Sequence, residues 1–199
     1  MKYPQHLLKL FQILKKLPGV GTKSAERHAF QMLTWSPQQL NEFANLVSAI
    51  PHELPSCNEC GCLTDRDANC FFCNNPARNQ SVICILAHAK DVYSIEETRE
   101  YTGVYHVLGG LLSPLEHKGP EHLKLPNLKE RILSKKINEV IIALDSTLEG
   151  DATALFLKKE LENDPVEVSR LAFGMPMGSS FDYVDGGTLA RAMAGRRLF

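Results

Sequence analysis

Four cysteines carry the clearest chemistry in this 199-residue chain: Cys57-x2-Cys60-x9-Cys70-x2-Cys73. The N-terminus lacks the continuous apolar core of a signal peptide, so a cytosolic address and reduced thiols are expected. Two CxxC pairs in a reducing compartment fit a tetrahedral four-cysteine zinc site better than disulfides or a redox pair. Each CxxC turn offers two thiolates to one side of the metal, and the second turn closes the tetrahedron. Between them stand Thr64, Asp65, Arg66, Asp67 and Asn69, which build no core. One structural Zn2+ would then supply the folding energy, on the order of 10 kcal/mol or more. Cys60-x-Cys62 offers a second spacing, and Cys60 is preferred because it completes a symmetric pair of knuckles. With all four positions filled by protein, no catalytic coordination site is implied. Cys84, within the apolar run Val82–Ala87, reads as a buried strand thiol.

A second constellation is Leu17-Pro18-Gly19-Val20-Gly21, followed by Lys23 and Arg27. Proline pushes the residue before it out of the helical region, and Gly19 and Gly21 allow a tight turn with positive φ. Such a turn exposes backbone N–H groups at a helix N-terminus, which suits a phosphate. Lys23, Arg27 and Gln31 recur at i, i+4, i+8 and form one polar stripe. Phosphate contacts of this kind position a protein on nucleic acid without reading its sequence. The same pattern also fits an αα-hairpin whose charges are merely solvated. A third constellation is Asp145, Glu149 and Asp151, where a strand runs into a helix. It reads as a magnesium site, as a charged docking surface, or as acids complementing a helix dipole.

These residues need elements to hold them. Leu7, Leu10, Phe11, Leu14 and Leu17 predict a first helix ending at Leu17. A second starts near Thr22, with Ala25, Ala29, Met32 and Leu33 on its apolar face. Ser36-Pro37-x-Gln39 is a capping box opening a third, which bears Leu40, Phe43, Ala44 and Val47 and stops before Pro51. Beyond the cysteines, strands at 81–86, 104–108, 139–144 and 166–172 alternate with helices at 90–100, 127–136 and 151–162. That alternation predicts a parallel sheet in a three-layer α/β domain, with a long loop at 109–126 and a short final helix at 188–194.

Composition agrees with an ordinary globular protein: 44% apolar and 23% charged residues. The longest strictly apolar run is far too short to span a membrane. The net charge of -1 would argue against a nucleic-acid partner, but it hides a gradient. Residues 1–35 carry Lys2, Lys9, Lys15, Lys16, Lys23 and Arg27 against the single acid Glu26, and 186–199 carry Arg191, Arg196 and Arg197 with no acid. The centre is correspondingly acidic.

Taken together, the chain resembles the bacterial RecR family over essentially its whole length. Leu17-Pro18-Gly19-Val20-Gly21-x-Lys23-Ser24-Ala25-x-Arg27 is similar to that family's helix-hairpin-helix signature, and the four cysteines match its zinc finger. Tyr93-Ser94-Ile95-Glu96, Leu112-Ser113-Pro114-Leu115 and Glu149-Gly150-x-Ala152-Thr153-Ala154 resemble its Toprim domain. Val184-Asp185-x-x-Thr188-Leu189 with Ala194-Gly195-Arg196 matches its C-terminal segment. The resemblance implies a helix-hairpin-helix domain at 1–52, a zinc finger at 53–78, a Toprim-like domain at 79–175, and a C-terminal segment at 176–199 with a loop compared to Walker B. It further implies a non-enzymatic mediator of recombinational repair, working with RecO and in some settings RecF to load recombinase onto single-stranded DNA. Dimers or ring-like tetramers that encircle DNA, and a nucleoid-associated location, are implied as well. Gly19, Gly21, Lys23 and Arg27 carry over to DNA, and Asp145, Glu149 and Asp151 to RecO or DNA docking. The chain departs from the Toprim pattern where Ala87 replaces the usual glutamate and where Asp145-Ser146-Thr147 breaks the DxD pair. Metal-assisted phosphoryl transfer would then lack its acid–base partner. No GxxxxGK[ST] loop is present, so the sequence does not support an ATPase. Three function classes remain: a DNA-binding mediator, a Toprim phosphoryl-transfer enzyme such as a nuclease or primase-like protein, and a protein-only adapter.

Overall fold

The computed structural model describes residues 3–66, 69–172 and 174–196, and the chain divides into two compact units, Met1–Glu53 and Leu54–Phe199. Lys2, Asp67 and Arg197, counted above among the charged residues, lie outside the described residues.

The first unit holds α1 (Gln5–Leu14), α2 (Thr22–Met32) and α3 (Pro37–Glu53). Leu7, Phe11 and Leu14, one face of α1, bury against Ala25 and Ala29 of α2. Both alanines are fully buried, and their small side chains let the two helix axes approach closely. α1 closes at Leu14, earlier than the expected Leu17: Lys16 and Leu17 donate to the carbonyls of Ile13 and Leu14, tightening the last turn before Pro18. Ser36 and Gln39 form the expected capping box, with Gln39 Oε1 accepting from Ser36 N–H at 2.9 Å and Ser36 Oγ from Gln39 N–H at 3.3 Å. α3 does not stop before Pro51 but runs through it to Glu53. A proline in the final turn forfeits one hydrogen bond and leaves little helix beyond it to break. α3 has no buried residue, and Leu40, Phe43, Leu46, Val47 and Ile50 are all exposed.

In the second unit four strands, β1 (Asn79–Leu86), β2 (Gly103–Val107), β3 (Glu139–Ile142) and β4 (Glu167–Arg170), form one sheet in the order β2-β1-β3-β4, every pair parallel. The helices are α4 (Ala89–Thr98), α5 (Leu125–Ser134), α6 (Leu148–Glu160) and α7 (Gly186–Ala194). Alternation along β1 sorts the two faces. Ile83 and Ile85 join Leu128, Ile132, Leu157 and Leu161 of α5, α6 and the turn after α6 in one core. Cys84 and Leu86 join Val92 of α4 and the finger's Cys60, Cys70, Phe72 and Cys73 in the other. The cysteine finger is thus part of a sheet layer. Its Phe72 ring meets Tyr105 of β2 edge-on, centroids 5.1 Å apart, and the Arg78 guanidinium lies over both rings.

β3 and β4 are shorter at their ends than the sequence suggests, because their pairing stops at Ile142 and Arg170. α5 begins at Leu125, taking Pro126 into its first turn, where a missing N–H costs nothing. The stretch before it is broken by two short 3-10 turns, Pro114–Glu116 and Pro120–His122. α6 starts at Leu148, capped by the Thr147 hydroxyl, which accepts from Gly150 N–H at 3.1 Å. A Cβ on Gly150 would stand 2.0 Å from the Asp145 carbonyl oxygen. Gly150→Ala is therefore expected to destabilise the second unit by about 1–3 kcal/mol, read as a lower urea midpoint. An unchanged midpoint would mean that the Asp145 loop moves aside freely.

Candidate metal centre and nucleic-acid interface

Two tight turns bring the four predicted sulfurs together. In the first, Gly61 N–H donates to the Cys57 carbonyl at 2.9 Å and Cys57 N–H to the Cys62 carbonyl at 2.7 Å. In the second, Asn74 N–H reaches the Cys70 carbonyl at 3.2 Å. The sulfurs of Cys57, Cys60, Cys70 and Cys73 all lie within 4.8 Å of one another, and those of Cys60 and Cys70 are 3.5 Å apart. A tetrahedron with metal–sulfur bonds of about 2.3 Å has edges of about 3.8 Å, so the donor set fits one tetrahedral, thiophilic cation. Hydrogen bonds from Cys62, Cys70 and Cys73 pull the Cys60 thiol far below its ordinary range, and the same contacts with Cys60 push those three up. The sulfurs are close enough to share protons, and a cation would displace those protons. Cys62 is buried beside the group without joining its four-sulfur set. Cys84 is the expected buried strand thiol, pushed up to about 12 by burial.

Three residues around this centre escaped the sequence reading. Glu59, between the first two cysteines, accepts from Arg131 Nε of α5 at 3.0 Å and pairs with Lys135 just after that helix. Arg131 is 4% exposed. His106 of β2 is fully buried, and its Nε2 lies 3.0 Å from the Lys124 carbonyl oxygen. A carbonyl only accepts, so Nε2 carries the proton and Nδ1 is free to accept from Arg131. Burial, then the neighbouring guanidinium, push His106 down to about 4 and keep it neutral. One signal was legible: Arg131 falls on the apolar stripe of α5 with Leu128 and Ile132, an odd place for a charge.

On the first unit, Gly19 takes the expected positive φ of 76°, but Gly21 does not. Gly21 is the N-cap of α2 in extended backbone, and no side chain caps the helix there. With open space around it, Gly21 leaves the first amides of α2 unobstructed. Lys23 and Arg27 project from the same helix into solvent, and Lys15 and Lys16 are exposed just before the turn.

The acidic triplet divides. A cavity of about 620 Å³ opens at the carboxyl ends of β1, β2 and β3, lined by His88, Gly109, Ser113, Asp145 and Glu149. Ala87, just past β1, is buried in the core. Asp151 faces elsewhere. Its carboxylate is shared by Arg170 of β4 at 2.5 Å and Arg191 of α7 at 2.6 Å. Arg170 and then Arg191 hold it below the usual carboxylate range. The structure thus brings Asp145 and Glu149 to one cavity and commits Asp151 to an intrachain ion pair. Among the described residues, no helix is long and apolar enough to cross a membrane.

Comparison with known proteins fits these sites. Family models match at residues 7–50 (RecR, helix-hairpin-helix), 81–172 (Toprim domain) and 174–197 (RecR, C-terminal). The Recombination protein RecR of Protochlamydia amoebophila is 61% identical over 199 residues, covering all of both chains. Those of Chlamydia muridarum and Chlamydia pneumoniae are each 48% identical, covering all of this chain and 100% and 99% of their own. Full-length identity at this level, across a glycine hairpin, a four-cysteine cluster and a four-stranded parallel sheet, shows that the chain belongs to the RecR family.

Proposed function

We propose that this chain is a non-catalytic, DNA-binding mediator of recombinational repair, acting with RecO and in some settings RecF to load recombinase onto single-stranded DNA. The observation that carries this reading is the α1–α2 hairpin: an uncapped helix N-terminus behind Gly19 and Gly21, flanked by exposed Lys23 and Arg27. Backbone amides and two cations suit phosphates of either single- or double-stranded DNA and carry no sequence preference. The Lys23→Ala, Arg27→Ala double variant is expected to bind DNA of every sequence more weakly. Its log–log salt slope should fall by about 1 for each side chain that contacts a phosphate. A mobility-shift or anisotropy titration at low and moderate salt measures both; unchanged affinity and slope would remove the hairpin from the interface.

Asp145 and Glu149, exposed or half-exposed at the rim of the strand-end cavity, form the docking surface for a basic partner, RecO in this reading. Ala87 supports a role without chemistry, since no carboxylate stands at the end of β1 to serve as acid or base. A cytoplasmic, nucleoid-associated location follows from DNA as the partner.

The metal in this reading is one structural Zn2+ held by Cys57, Cys60, Cys70 and Cys73, which locks the two knuckles. Metal analysis of the purified protein should find about one zinc per chain. A Cys57→Ser, Cys73→Ser variant should lose the zinc and with it the protease resistance of 54–78. A variant that keeps its fold without metal would refute the structural role.

The chain works as a homodimer or ring-like homotetramer. Supporting this, α3 exposes Leu40, Phe43, Leu46, Val47 and Ile50 within three turns, more apolar surface than a solvent-facing helix normally carries. Light scattering should give a mass above that of one chain, and Leu46→Glu should shift it toward the monomer. A monomeric wild-type protein, or an unchanged variant, would remove α3 from the assembly.

A further inference from the structure

One buried charge has no part in the function proposed so far. Arg131 lies within the apolar stripe of α5, 4% exposed. A guanidinium stays charged, so each of its donors needs an acceptor when buried. Nε donates to Glu59 Oε1 at 3.0 Å, Nη1 to the Tyr105 carbonyl at 2.8 Å and to His106 Nδ1 at 3.4 Å, and Nη2 to the Cys73 sulfur at 3.8 Å. Two of these acceptors, Glu59 and Cys73, belong to the cysteine finger. The other two belong to β2, the strand at one edge of the sheet. The finger meets that edge again where Val107 N–H donates to the Cys60 carbonyl at 2.7 Å. Backbone groups that an edge strand would leave open are thus taken up by a metal-ligand residue on one side and by Arg131 on the other.

Charge explains why the guanidinium sits there. Four thiolates around a divalent cation leave a net charge of about -2 in a largely buried centre. Arg131 reaches one of these sulfurs directly, while Glu59, its other anionic partner, is one-third exposed and shared with Lys135. A second partner that fixes a ligand's orientation and charge typically tunes metal affinity 10- to 100-fold.

We propose that Arg131 is a positioning residue of the metal centre, holding the Cys73 sulfur and Glu59 against β2 so that filling the site orders α5 and the sheet edge as well as the finger. The inference rests on the zinc reading above, and its tests separate the two. In wild-type protein, removing zinc with a chelator should speed hydrogen exchange at Val107 and through α5, while the Met1–Glu53 unit serves as an internal reference. Exchange that rises only within 54–78 would overturn the inference. Arg131→Met keeps the apolar stem but leaves the buried thiolate charge uncompensated, and should release zinc to a chelator about 10-fold faster. Arg131→Lys, which keeps the charge but loses the fork, should fall between. With Co2+ in the site, loss of a hydrogen bond to sulfur raises the sulfur lone pairs, so the thiolate-to-cobalt band should move to longer wavelength in Arg131→Met and not in Glu59→Gln. A merely structural role would leave that band in place. A folded Arg131→Met protein with wild-type release rate and band would overturn the proposal. Wild-type protein holding no zinc would instead remove the metal reading itself.

Discussion

A parallel sheet with an open edge must satisfy the N–H and C=O groups of its last strand, and in this unit that constraint organises the middle of the chain. β2 is such an edge, flanked on its inner side by β1. Its outer groups find the Cys60 carbonyl and the Arg131 guanidinium, one from the cysteine finger and one from α5. Burying Arg131 without acceptors would cost several kcal/mol. Because its acceptors come from three separate segments, the same contacts tie the finger, the sheet edge and α5 together. Phe72 against Tyr105, with Arg78 stacked over both, seals the other end of the finger onto the same strand. The finger therefore acts as part of the layer that covers one sheet face, which is why its cysteines share a core with Cys84, Leu86 and Val92.

The two units use charge differently. In Met1–Glu53 the cations stand in solvent around an uncapped helix N-terminus, which suits attraction to a polyanion. In Leu54–Phe199 several cations are held in internal ion pairs: Arg131 and Lys135 by Glu59, Arg78 by Glu96, Arg170 and Arg191 by Asp151. A near-zero net charge is thus compatible with binding DNA, because the charges that cancel are not in the same place. At the strand ends the second unit presents Asp145 and Glu149 together with Glu116 and Lys118.

Much of this was legible along the chain, and the illegible parts share a cause. CxxC spacing, the proline–glycine turn, the Ser36–Gln39 capping box and the strand–helix alternation are local, and each appears in the structure. Side-chain partnerships across long separations are not local. Asp151 looks like a third member of an acidic loop, yet its partners come from 19 and 40 residues away. Glu59 and Arg131 are 72 residues apart. The stripe on α3 was readable as apolar, but whether a stripe is covered depends on what packs against it, and there periodicity is silent. Pro51 and Pro126 show another limit: a proline breaks a helix interior but is tolerated at its ends, and sequence places ends poorly.

The strand-end cavity is where an α/β sheet concentrates chemistry, and here its composition favours recognition over reaction. Phosphoryl transfer at such a site needs a metal-binding acid pair and a group to move a proton. Asp145 is present, but its loop continues as Ser146 and Thr147, and the Thr147 hydroxyl is committed to capping α6. Asp151 is committed to two arginines. Ala87 is buried in the core behind the strand end, and His88, the N-cap of α4, lines the cavity. The lining carries the carboxylates of Glu116, Asp145 and Glu149 beside Lys118, His88 and His122. Such a lining can hold a charged partner in register without changing any bond.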